Sequence, residues 1–347
     1  MKTIDIHTHL LSSDVKFERF YDKLAIRFFG KKFGIDPKEI LQNPYEAYTN
    51  ALLTSVRNSE HIEKIVLFGV DARVDDTGKE LHKDITVCAT NDDLLRLYEQ
   101  NSDCIVPFFS INPQRPDAPE LIDKYVAHGF AGGKFLQNYW NVDTNQERYR
   151  AYFEKMAVYD LPLIIHVGSE SSVHSFAACE SIEMLRLPLE CGVKVICAHM
   201  ALSYEPKRIF RALSKKEKHF NREYFELLEM LENYPNLYAD ISALLTPVRA
   251  KVLRHLSLQK HIHHKLLFGT DFPVPFSTLF TSYDLAWKKR WQLCKIDNPF
   301  DRYAKAILEY FPNDNPIYTN YTKLLTDDTH FMSKAHKVAG TNVPTTP

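Results

Sequence analysis

The sequence predicts a TIM (β/α)8 barrel, an α/β fold in which eight parallel strands alternate with outer helices. Three observations carry this expectation. Short apolar runs recur along the 347 residues, each separated from the next by enough helix-periodic sequence for a crossover. There are eight such runs, the number that closes into a barrel. Ionisable side chains also fall repeatedly at the carboxyl end of a run, which is where barrels of this kind carry their chemistry.

The first run is Thr3-Ile4-Asp5-Ile6-His7-Thr8-His9. Strand alternation places Asp5, His7 and His9 on one face and Ile4 and Ile6 on the other. Two imidazoles side by side on a strand can grip one ion, whereas residues two apart on a helix do not face each other. Alone, the pair reads more simply as two buried, hydrogen-bonded histidines.

Residues 10–62 read as a helical insertion, with Phe17, Phe20, Tyr21, Leu24, Phe28 and Phe29 at helical spacing and Asp36-Pro37 as a helix start. The aromatic stripe reads as packing; the insertion covers the mouth or forms a dimer contact, and a homodimer is the expectation. The second strand spans 64–70, a nearly unbroken apolar run suited to burial on both faces. A helix over 91–100, capped by Asn91, leads to the third strand at 104–113. A helix over 119–128 precedes the fourth strand at 130–137, where Gly132 and Gly133 point to a close approach of backbone or ligand.

Helices over 146–159 and 181–190 precede strands at 162–168 and 194–200. A charged helical stretch over 206–233 precedes the strand at 236–242, and a helix over 248–256 precedes the last strand at 265–273. His261, His263 and His264 read as a solvated helix end. Residues 1–330 thus form a single barrel domain, with further helices around 303–311 and a loose tail over 331–347.

A formal net charge of −1 argues against non-specific attraction to nucleic acid or to an anionic membrane. No apolar run approaches the length of a membrane span and the start does not resemble a signal sequence, so the expected location is cytoplasmic. The six cysteines lack disulfide or zinc spacing and read as small apolar core residues. The expected partner is a small molecule bearing a carboxylate or a reactive carbonyl.

At the carboxyl ends of the strands stand His7 and His9, Lys134, His166, His199 and Asp271. Singly, each has a plain structural reading: a core histidine, a salt-bridge lysine, a turn aspartate. Ionisable groups facing a barrel interior must be paired, metal-bound or neutral, and six of them at one end are better explained by a shared site.

Taken in order, DIHTH, GGKFL, IIHVG, ICAHM and FGTDFP resemble the amidohydrolase superfamily, specifically the amidohydrolase-2 branch related to aminocarboxymuconate semialdehyde decarboxylase, from residue 3 to about 310. The resemblance implies a metal-dependent barrel enzyme with His7, His9, His166 and Asp271 as metal ligands and His199 beside them. It leaves two arrangements for Lys134: carboxylated between two metals, or an amine that binds a substrate carboxylate or phosphate beside one zinc. One zinc is the expectation, with manganese, iron and cobalt also compatible with these ligands. Asp5 is expected to orient a ligating histidine.

The expected chemistry is attack of metal-activated water on an amide, lactone or ester carbonyl, with Asp271 as proton acceptor and His199 binding the water or developing oxyanion. The alternative is a decarboxylase or hydratase of an aromatic or dienoic acid, which requires a carboxylate clamp. For that role the sequence offers Arg73 and Arg249, with Tyr139 and Trp140 as walls for a flat substrate and Asn138, His174 and Ser242 as further residues near the mouth. A catalytically silent metal-binding barrel is the third reading.

Overall fold

Each of the eight apolar runs forms a strand in the structure, a computed structural model that describes residues 2–16, 30, 38–169, 172–204, 220–282 and 284–325. The aromatic stripe from Phe17 to Phe29, the Asp36-Pro37 start, residues 206–219 and the tail over 331–347 lie outside the described residues. The barrel strands are β1 (Thr3–His9), β2 (Ile62–Phe68), β5 (Ile105–Phe109), β6 (Gly132–Phe135), β7 (Leu163–Ile165), β8 (Val195–Cys197), β9 (Leu237–Asp240) and β10 (Leu266–Leu267). They run in that order as one parallel sheet.

The sheet closes on itself through β1 and β10. Ile6 N donates to the Phe268 carbonyl at 3.1 Å, Asp271 N to that of His7 at 2.8 Å and His9 N to that of Phe272 at 2.8 Å. A hairpin that the sequence reading missed, β3 (Arg73–Val74) with β4 (Glu80–His82), follows β2. Asp75 accepts from the backbone of Thr77 and Lys79 across its turn, and Gly78 supplies the positive φ of 80°.

Strand alternation sorts the core into two layers. Ile65, Leu67, Leu163, Ile165, Val195, Cys197 and Leu237 face outward to the helices, joining Tyr48, Leu52 and Val56 of the helix Pro44–Arg57. Ile6, Val66, Phe68, Phe108, Ile164, Ile196 and Leu267 fill the barrel, and Leu324 with the partly buried Tyr321 plugs its amino end. The opposite end carries the polar residues.

The expectation for β1 needs correction. Its register against β2 shifts between Asp5 and Thr8, so that three steps on β1 match two on β2. This extra residue breaks the alternation. Ile6 joins the barrel interior, while Asp5 is level with the outward-facing Ile65. Asp5 and His7 therefore do not share a face.

Helix ends differ in smaller ways. Thr90, not Asn91, caps the helix Asn91–Gln100: its hydroxyl accepts from Asp93 N at 3.0 Å while the Asp93 carboxylate accepts from Thr90 N. The Asn91 side chain instead bonds both backbone groups of Ser110, at 2.8 and 2.9 Å, tying the helix to the end of β5. The helix expected over 146–159 begins as a 3-10 turn at Glu147–Tyr149, and that over 181–190 as one at Ile182–Leu185. The helix expected over 248–256 is Val252–Leu258.

Gly132 answers a close approach, but of neighbours within the fold: a Cβ there would lie 2.5 Å from the Phe108 ring and 2.7 Å from the Pro162 carbonyl. The backbone oxygen cannot retreat without moving the β6–β7 pairing. Gly132→Ala is expected to lower stability by about 1–3 kcal/mol, the usual cost of overpacking. Urea unfolding measures it, and an unchanged midpoint would contradict the packing described.

Candidate metal centre

The mouth of the barrel brings together residues from five strand ends. His7 Nε2 and His9 Nε2 lie 3.4 and 3.1 Å from Asp271 Oδ1. Lys134 Nζ lies 3.3 Å from His7 Nε2, and His199 Nε2 lies 3.8 Å from Asp271 Oδ2. The rings of His166 and His199 are 5.3 Å apart, centre to centre. All except His9 are buried.

Alternation alone puts Lys134, His166 and Asp271 on the interior face, but not His199. Ala198 belongs to the barrel interior, so His199 would point outward. A left-handed backbone turns it back: φ is 53° at His199, 55° at Met200 and 53° at Ala201. Ala243 and Asp271 are also left-handed, at 54° and 66°. Such conformations are costly for residues with a side chain and persist where surrounding bonds over-determine them. Here His199 N is held by Asp240 Oδ1 at 2.9 Å and Asp271 N by the His7 carbonyl at 2.8 Å.

Asp240 is a residue that the sequence reading passed over. Its Oδ2 lies 2.8 Å from His7 Nδ1, and its Oδ1 accepts from His199 N, Ser242 N and the Ser242 hydroxyl. That hydroxyl lies 2.8 Å from His199 Nδ1. The signal was the inward period-two pair Asp240 and Ser242 within an apolar strand. Gln137 was also missed: its amide donates to the carbonyls of His166 and Cys179.

Asp5 does not orient a histidine ring, contrary to expectation. Its carboxylate accepts from the backbone N of His7 and Thr270, both at 3.0 Å, and from the Thr270 hydroxyl at 2.6 Å. Burial pushes its pKa up to about 7, against the lowering effect of these three donors.

Burial likewise raises the pKa of Asp271 from the ordinary carboxylate value, opposed by its contact with His9. Burial holds His7 and His199 well below the usual histidine range, reinforced by the positive charges of Lys134 and Arg249 respectively. Both rings are therefore neutral at physiological pH.

The family model described as amidohydrolase matches residues 4–293. This chain belongs to the amidohydrolase family. Solved structures share its fold at low identity. A probable 2-pyrone-4,6-dicarboxylic acid hydrolase from Acinetobacter baumannii, with citric acid bound, is 15% identical with a TM-score of 0.53, over 93% of this chain and 99% of that one. An amidohydrolase from Burkholderia multivorans with bound zinc is 12% identical with a TM-score of 0.52, over 93% and 99%. The 4-oxalomesaconate hydratase of Rhodopseudomonas palustris is 15% identical with a TM-score of 0.50, over 97% and 98%. No curated protein matches the sequence significantly.

The donor set of this amidohydrolase-family chain fits a divalent metal ion. His7, His9 and Asp271 offer ligand atoms that lie within 4.8 Å of one another, two neutral imidazoles and a carboxylate. His166 is outside that close group and lines the same cavity. The cavity, about 550 Å³, is walled by Leu11, Val70, Val87, Leu136 and Val274, with Lys134, His199, Arg249 and Asp271 among its polar residues. Arg249 is buried, its Nε donating to the Leu202 carbonyl at 2.9 Å and its guanidinium 5.5 Å from the centre of the Tyr204 ring.

Several expected substrate contacts lie elsewhere, among residues that do not line this cavity. Arg73 opens the hairpin and stacks on Phe176 at 5.0 Å. The Tyr139 hydroxyl bonds His82, Asp84 and Cys88, and Trp140 Nε1 donates to the Asp71 carbonyl at 2.8 Å. Both aromatic residues are buried as packing between the loops after β2 and β6. Asn138 bonds Ser175, and His174 packs against Phe176. Of the histidine run, His263 is buried and bonds Asn315 rather than ending a solvated helix. The six cysteines are free, as expected.

Tyr139→Phe separates the two roles. The expected result is wild-type kcat/KM with stability lower by about 1 kcal/mol, the usual worth of a lost hydrogen bond. A large rise in KM without loss of stability would return Tyr139 to the substrate site.

Proposed function

We propose that this protein is a metal-dependent hydrolase in which activated water attacks the carbonyl of a small anionic substrate. The observation that carries the reading is the convergence of His7, His9 and Asp271 within 4.8 Å at the mouth of a cavity that also holds two cationic side chains. His7, His9 and Asp271 would hold one zinc, with His166 as a further donor. The chemistry such an ion supplies is Lewis acidity, which lowers the pKa of water to about 7.

The remaining work falls to the chain. Asp271, its affinity for a proton raised by burial, accepts one at a carboxylate oxygen and returns it to the leaving group. His199 is neutral, and its Nδ1 faces two acceptors, the Ser242 hydroxyl oxygen at 2.8 Å and carbonyl at 3.2 Å. The ring proton therefore sits on Nδ1, so Nε2 accepts a hydrogen bond from water. Of the two roles expected for His199, this form suits binding the water rather than the developing oxyanion. Lys134 and Arg249 bind and orient the substrate anion, and the apolar walls exclude bulk water.

A lyase acting on a carboxylate-bearing aromatic or dienoic acid is the second reading. Arg249 favours it: a buried guanidinium on the cavity wall provides the planar clamp that such a substrate needs. Lactones, dipeptides and hydroxybenzoates assayed with and without chelator separate the two. Hydrolysis abolished by chelator and restored by zinc supports the first reading; metal-dependent carbon dioxide release with no hydrolysis replaces it by the second.

Asp271→Asn is expected to lower kcat by roughly 10²–10⁴-fold, the span attributed to a positioned acid or base. Arg249→Lys should chiefly raise KM, since an ammonium cannot reproduce the bidentate fork. Steady-state kinetics on the accepted substrate check both, and an unchanged KM in the lysine variant would remove Arg249 from the substrate site.

A further inference from the structure

The carboxylate of Asp240 does not line the cavity, yet it bonds the buried His7 and, through a backbone N and Ser242, the cavity-lining His199. Its two oxygens are fully buried and divide their work. Among the described residues, Oδ2 takes only the His7 ring, at 2.8 Å. Oδ1 gathers three donors: His199 N, Ser242 N and the Ser242 hydroxyl. Because the Ser242 proton is committed to Asp240, the serine oxygen can only accept from His199 Nδ1. A carboxylate is likewise acceptor-only, so His7 must donate through Nδ1.

We propose that Asp240 is a positioning residue that fixes the ring proton of both His7 and His199 on Nδ1, directly in the first case and through Ser242 in the second. Each Nε2 then presents its lone pair to the mouth. His7 keeps its lone pair for a metal ion, in line with the general habit of metal-binding histidines to donate their other ring nitrogen to a carboxylate. His199 keeps its own for the proton of a water. Gly269 permits this arrangement: a Cβ there would lie 3.1 Å from His7 Cβ and 3.2 Å from Ser242 Cβ, crowding two of the residues involved. The inference rests on the metal-centre reading for its purpose, but not for its geometry.

The test reads ring protons and metal affinity, not turnover. In the metal-free protein, nitrogen-15 NMR of the histidine rings should show His7 and His199 both protonated at Nδ1. Asp240→Asn keeps an oxygen for the three Oδ1 donors and turns an amide N–H toward His7. The expected result is His7 protonated at Nε2 and zinc bound roughly 10- to 100-fold more weakly by chelator competition, as for other outer partners of ligating histidines.

Ser242→Ala should loosen the proton preference of His199 while leaving His7 and zinc affinity at their wild-type values. A wild-type spectrum with either ring protonated at Nε2 overturns the proposal, even if the asparagine variant fails to fold. So does an asparagine variant with weaker zinc binding and an unchanged His7 ring, or an alanine variant that loses zinc to the same degree. Failure of every substrate in the hydrolysis panel would sink the hydrolase reading and leave these measurements standing.

Discussion

A buried carboxylate at Asp5 joins the first strand to the last, and the placing of His7, His9 and Asp271 at the mouth follows from that joint. Parallel strands cannot close a barrel unless the last finds hydrogen-bond partners on the first. Here β10 is only two residues long, and the seam beyond it is completed by Asp271 N on the His7 carbonyl and His9 N on the Phe272 carbonyl. Asp5 reinforces it from the outer face by taking the backbone N of both His7 and Thr270. The same bonds that close the sheet thus bring His7, His9 and Asp271 side by side. Closure and ligand geometry are one constraint rather than two.

The bulge in β1 explains how a strand can do both. With strict alternation, Asp5 would face the axis beside His7, and two carboxylates would crowd the interior alongside Asp240. The extra residue lets Asp5 turn outward to Thr270 while Ile6 fills the barrel beneath the mouth and His7 reaches the site. Bulges re-aim side chains, and this one keeps Asp5 apart from the Asp271 carboxylate at the mouth. The left-handed turns at His199, Ala243 and Asp271 serve the ends of β8, β9 and β10 in a similar way, bending chains that would otherwise run straight out of the barrel.

The barrel and most of its polar mouth were legible because both depend on short-range periodicity. Apolar runs mark strands, and strand ends mark the mouth, so Lys134, His166 and Asp271 could be placed from spacing and strand order. His199 stands at the right end for a reason that spacing cannot supply, since its orientation comes from backbone angles that period two does not encode. Tyr139 and Trp140 misled because they follow a strand end directly. The short helix Gln137–Trp140 turns them away from the mouth, against Asp71, His82 and Cys88, contacts supplied by a hairpin too short to announce itself in sequence. Arg249 and Arg73 looked alike in sequence; only the burial of Arg249 on the cavity wall distinguishes them.

Asp240 was illegible for a different reason. An aspartate at the end of an apolar strand reads as one more ionisable residue, and its importance lies in what it touches, which are residues distant in sequence: His7 by 233 positions and His199 by 41. Its effect is nonetheless simple. A neutral imidazole has one donor and one acceptor nitrogen, and whichever nitrogen faces an obligate acceptor carries the proton. Two histidines that share one buried acceptor, one of them through a serine, must therefore turn the same nitrogen toward Asp271 at the mouth. On the proposed hydrolase reading, a metal ion needs a lone pair there, and so does the proton of an attacking water. Placing the carboxylate behind the rings meets both needs without adding negative charge to the cavity, where Lys134 and Arg249 leave the field favourable to an anion.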